Sequence, residues 1–118
     1  MNDNELINIF IIEDNRLFML TLKAHIEIAF VNQKMKIYCF ETGEACMDKF
    51  KEVKPQIAIL DYHLNSITPD AANGIKILDW IKKEHKETFV IMLTDQAEKL
   101  GGMNKNHFFA KNILRAKR

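Results

Sequence analysis

A chain of 118 residues suits one domain of ordinary size and excludes two. Its composition, 47% hydrophobic and 28% charged, excludes disordered, collagen-like and membrane-spanning classes. Seventeen Lys and Arg against sixteen Asp and Glu leave a formal charge of +1, so no strong global field draws the domain to nucleic acid or anionic lipid.

The polar start Met1-Asn2-Asp3-Asn4-Glu5 lacks the basic region of a leader, and no apolar run approaches the roughly 18 residues of a spanning helix, so a cytoplasmic, soluble protein is expected. The first apolar run is Leu6 to Ile12, which predicts a strand. Leu17, Leu20, Ala24 and Ile28 then fall on one helical stripe, the expected core face of a first crossover helix. Met35 to Phe40 alternates like a strand near a sheet edge. Thr42 suits a helix N-cap, Cys46, Phe50 and Val53 give a second stripe, and Lys54-Pro55 closes that segment. Ile57 to Leu60 is a third strand; Asp70 suits a further cap, and Ile77, Leu78 and Ile81 a third helical stripe. Thr88 to Leu93 is the fourth strand. Strands alternating with helices predict α/β architecture, and near-continuous apolar runs predict a mainly parallel sheet covered on both faces. Cys39 and Cys46 form no C-x-x-C pair, so packed, reduced thiols are expected.

Beyond Thr94 only 24 residues remain, where a further helix, strand and full-length helix would need about 35. Asp95 to Leu100 reads as a brief helix stopped by Gly101-Gly102, and His107 to Ala110 as a short fifth strand. The pairs Phe109 with Ile113 and Ala110 with Leu114 equally fit a single helix over 107–117, and periodicity leaves both readings open.

The chemistry lies where the apolar runs end. In an open parallel sheet all strand C-termini share one edge, where ligands bind. Here the first strand runs into Glu13-Asp14 and the third into Asp61. Carboxylates about 4 Å apart repel by about 4 kcal/mol at an effective dielectric of about 20, so such a cluster calls for a hard cation or a shared proton. Mg²⁺ fits, because it takes carboxylate and carbonyl oxygens and keeps positions for water or phosphate. Thr94 adds a hydroxyl at the end of the fourth strand, and Lys111 an ammonium if the fifth strand forms. Such a set can hold a phosphoryl group while Asp61 attacks it, the arrangement of aspartyl phosphorylation.

The chain resembles the receiver domain of bacterial two-component response regulators. The resemblance is carried by Ile11-Ile12-Glu13-Asp14-Asn15, by Ile59-Leu60-Asp61-Tyr62-His63-Leu64, by Gly74 opening the third helix, by Met92-Leu93-Thr94 and by Phe108-Phe109-Ala110-Lys111. It implies a flavodoxin-like doubly wound parallel sheet of strand order 2-1-3-4-5. Here that fold would have a shortened fourth helix and truncated or missing C-terminal elements. It implies that Glu13, Asp14, Asp61 and the backbone carbonyl of His63 hold Mg²⁺, and that Asp61 is the phosphoacceptor. Thr94 and Phe108 would be the switch pair, with Lys111 on the acyl phosphate, and His63 and Gln96 would shape water access. The implied partner is a sensor histidine kinase or phosphotransfer protein, with homodimerisation through the fourth helix, fifth strand and fifth helix, and with no direct nucleic-acid or membrane contact. The domain would be a phosphoacceptor that catalyses its own transfer and dephosphorylation rather than a conventional enzyme.

Three departures stand out. The segment from Asp61 to Gly74 is longer than the family's loop, that from Thr94 to Lys111 is shorter, and Asn112 replaces the usual Pro. Lys105 and Lys117 rival Lys111 for the lysine role. The shortened segment motivates an alternative, a degenerate receiver acting as a non-switching interaction module. A phosphohydrolase of the haloacid-dehalogenase type would need an acid where His63 stands, and neither G-x-G-x-x-G nor a P-loop is present. The tail Arg115-Ala116-Lys117-Arg118 reads as that of an excised or truncated piece.

Overall fold

A computed structural model describes residues 5–62, 64, 74–94 and 108–110. In chain order the elements are β1 (Ile7–Ile12), α1 (Arg16–Ala29), β2 (Met35–Phe40), α2 (Gly43–Lys49), β3 (Ile57–Asp61), α3 (Gly74–Glu84), β4 (Phe89–Thr94) and β5 (Phe108–Ala110). All neighbouring strands pair in parallel, in the order β2-β1-β3-β4-β5. The alternating pattern of Met35 to Phe40 is explained by its place at the sheet edge, where it has one neighbour. Residues 108–110 form a strand paired with Met92–Thr94, which decides against a helix running through them. The brief helix expected over Asp95 to Leu100 and the cap expected at Asp70 lie outside the described residues.

Period-two alternation divides the core into two layers. On one face Phe10, Ile12, Ala58, Leu60, Val90 and Met92 pack against Cys46 and Phe50 of the α2 segment and Ile77, Leu78 and Ile81 of α3. On the other, Ile7, Ile9, Ile11, Ile59 and Leu93 pack against Phe18 and Met19 of α1. Of the stripes expected on the second and third helices, Cys46, Phe50, Ile77, Leu78 and Ile81 are buried and Val53 is partly buried. Thr42 caps α2 as expected, its hydroxyl accepting from Ala45 N at 3.2 Å.

The stripe expected to be buried on α1 is not. Leu17, Leu20, Ala24 and Ile28 are exposed, and the helix instead turns Phe18, Met19, Leu22 and Ile26 to the sheet. Both sets repeat at helical spacing, so periodicity alone fits either. Phe18, Met19, Leu22 and Ile26 supply the larger side chains, and a flat sheet face is better filled by them than by a set that includes Ala24.

Both cysteines are free thiols, as expected from their spacing. Burial raises the thiol of Cys46 to about 12. That of Cys39 is raised too, first by burial, with Lys23 opposing the shift and Glu27 adding to it. Neither is a ready thiolate nucleophile. Among the described residues no helix is long and apolar enough to cross a membrane.

Candidate metal and phosphoryl site

The parallel sheet delivers its polar residues to one edge. β1 ends at Ile12 and the next two residues are Glu13 and Asp14; β3 ends on Asp61. Because β1 and β3 are neighbours, with Ile12 opposite Leu60, these three carboxylates converge, each offering an oxygen within 4.8 Å of the others. Glu13 and Asp61 are buried and Asp14 is half-buried.

Backbone pairing fixes the arrangement. Glu13 N donates to Phe40 O at 3.0 Å, extending the β1–β2 ladder by one residue past the strand. Tyr62 N donates to Leu93 O at 2.9 Å, which holds the chain just after Asp61 against β4. Asn15 ties the cluster to α1: its N–H donates to Glu13 Oε2 at 3.1 Å, and its own Oδ1 accepts from Phe18 N at 3.0 Å as the helix N-cap. The positive end of α1 thus lies beside the cluster and offsets part of its repulsion. The sequence carries a signal for this role, since an Asn directly before a helical pattern is a capping signal.

Gly74, the first residue of α3, supplies a positioning feature that spacing does not show. A Cβ there would lie 2.9 Å from Tyr62 Cα and 3.0 Å from Tyr62 O, and closer still to the carbonyl oxygen of Asp61. Among the described residues no glycine has positive φ, so at Gly74 space rather than conformation demands glycine. With no side chain in the way, α3 starts directly against the backbone that carries Asp61.

Thr94 closes β4, where it pairs with Ala110, and Phe108 opens β5 opposite Met92. The structure thus places both on strands at the expected positions. His63, Gln96, Lys105, Lys111 and Lys117 lie outside the described residues.

Three carboxylate oxygens from two adjacent strand ends form a donor set for a hard divalent cation. The family model for the response regulator receiver domain matches residues 9–113. No curated protein matches the chain. Among solved structures it is similar to the bacteriophytochrome response regulator AtBRR, at 20% identity over 91% of this chain and 83% of that one, TM-score 0.72. It is also similar to RcsB from Salmonella enterica serovar Typhimurium, solved on a promoter with the phosphomimetic BeF3-, at 18% identity over 79% of this chain and 48% of that one, TM-score 0.63. A mutant MaeR response regulator bound to sulfate matches at 22% identity over 75% and 66% of the two chains, TM-score 0.62. The chain spans less than half the length of the RcsB chains it matches, and at these identities the likeness is one of fold.

Proposed function

Because the chain belongs to the response regulator receiver domain family, we propose that residues 1–118 form one cytoplasmic receiver domain that takes a phosphoryl group onto Asp61 and changes partner binding in response. The observation that carries this reading is the convergence of Glu13, Asp14 and Asp61 at the C-terminal edge of the sheet. A carboxylate oxygen of Asp61 attacks the phosphorus of a histidine-phosphorylated kinase or phosphotransfer protein. The P–N bond breaks, and its electron pair returns to the donor imidazole. Glu13, Asp14 and Asp61, with the backbone carbonyl of His63, would hold Mg²⁺, which would supply positive charge to the phosphoryl oxygens. Thr94 donates its hydroxyl to one of those oxygens and Lys111 places its ammonium on another. In this reading the phosphorylated domain favours a state already sampled, with Thr94 and Phe108 rearranging together.

The metal assignment makes a prediction about the metal-free protein. Without divalent cation the three carboxylates repel, so Asp14→Asn is expected to raise stability by about 1 kcal/mol, a few degrees in Tm. Added Mg²⁺ should then stabilise the wild type and leave Asp14→Asn unmoved. Thermal unfolding with EDTA or excess Mg²⁺ measures both; equal Mg²⁺ stabilisation of the two proteins contradicts the assignment.

The switching part of the proposal is tested by beryllofluoride with Mg²⁺, followed by amide NMR. Resonances of Asp61, Thr94 and residues 101–110 are expected to shift. Shifts confined to the neighbourhood of Asp61 would favour a receiver fold that binds phosphoryl groups without switching.

A further inference from the structure

Asn15 joins the carboxylate cluster to the part of α1 that is buried. On one side its backbone N–H donates to Glu13 Oε2 at 3.1 Å. On the other its side-chain Oδ1 accepts from Phe18 N and its carbonyl oxygen from Met19 N, both at 3.0 Å. Phe18 and Met19 are the buried residues of α1, the pair that anchors the helix on the sheet. A short run of bonds therefore leads from the Glu13 carboxylate through Asn15 into the core.

Glu13 is fully buried, and a buried carboxylate takes its orientation from the donors around it. The Asn15 N–H is one such donor. It points at Glu13 because Asn15 is extended, with φ -84° and ψ 104°, the conformation an N-cap holds while its side chain closes on the helix. The rotation of the Glu13 carboxylate thus depends on a side-chain bond made on the far side of Asn15, to Phe18. Mg²⁺ demands near-ideal octahedral geometry, so a ligand that turns out of place costs it affinity. Resting on the reading of Glu13, Asp14 and Asp61 as a Mg²⁺ site, we infer that Asn15 is a positioning residue for the cation: its cap on α1 fixes the Glu13 carboxylate, without Asn15 being a ligand itself.

Asn15 is itself exposed, so it can be replaced with the core left intact. Titration of the full chain with MgCl₂, followed by amide NMR, reads the dissociation constant without any phosphoryl donor. Asn15→Ala is expected to raise that constant about tenfold, the size of loss seen when a group orienting a metal ligand is removed. Asn15→Ser, which keeps a side-chain acceptor at the cap, should stay within about twofold of the wild type. Thr42→Ala removes the corresponding cap of α2, at a comparable loss of stability, and should leave Mg²⁺ affinity unchanged. An Asn15→Ala protein with wild-type affinity overturns the inference and leaves the metal site standing. So does an Asn15→Ser protein as weak as Asn15→Ala, or an equal loss in Thr42→Ala, because affinity would then follow helix stability rather than the hold on Glu13. A wild type whose amides do not respond to Mg²⁺ overturns the metal site itself, and the inference with it.

Discussion

Gly74→Ala is expected to lose about 3 kcal/mol or more of stability, and to impair chemistry at Asp61 in whatever fraction remains folded. The added methyl group meets backbone, not a side chain that can swing away: the Asp61 carbonyl oxygen, Tyr62 Cα and Tyr62 O. That backbone has little freedom to retreat. Asp61 is paired with Leu93 on β4, and Tyr62 N is bonded to Leu93 O. Relief therefore requires either that α3 lift, opening its contacts through Ile77, Leu78 and Ile81, or that the Asp61 strand end shift, displacing a carboxylate from the cluster. Chemical denaturation measures the first cost and Mg²⁺ affinity the second. A Gly74→Ala protein with wild-type values of both would show that the close approach has no consequence.

The second large effect lies in the core. Phe10, on β1 and fully buried, meets Tyr38, Phe40 and Phe50 edge to face, with ring centroids 5.4, 5.0 and 5.0 Å apart. Phe50 carries the contact outward to Trp80 at 5.2 Å and His85 at 4.4 Å. One ring therefore joins β1 to β2 and, through Phe50, to α3 and the turn after it. Edge-to-face pairs add to area burial, so Phe10→Ala should cost about 3–5 kcal/mol. Phe10→Leu, which keeps much of the volume but loses the ring geometry, should cost clearly less. Urea midpoints for the two variants check the order, and near-equal losses would show that volume matters little at this position.

Much of the molecule is legible in the sequence because a parallel sheet writes itself plainly. Strands covered on both faces are nearly unbroken apolar runs, and the turn to polar residues marks where each ends. The same feature makes the acidic site readable: Glu13-Asp14 and Asp61 directly follow such runs, and adjacency of β1 and β3 suffices to bring them together. Helix α1 shows where the method stops. It has apolar residues on opposite faces, so spacing offers two cores, and the sheet chose the one with Phe18 and Met19. Gly74 is a different kind of gap. A glycine opening a helix looks ordinary until the Asp61 and Tyr62 backbone is found against it, and no local pattern encodes a contact between segments that distant.

The proposed role of Asp61 is that of a phosphoacceptor served by a bound cation. Its most direct test is the intact mass of the chain after incubation with acetyl phosphate and Mg²⁺, because no cognate donor need be known. A gain of a single phosphoryl group is expected, absent in Asp61→Asn and abolished by EDTA. An unmodified wild type, or a gain that persists in Asp61→Asn, would contradict it.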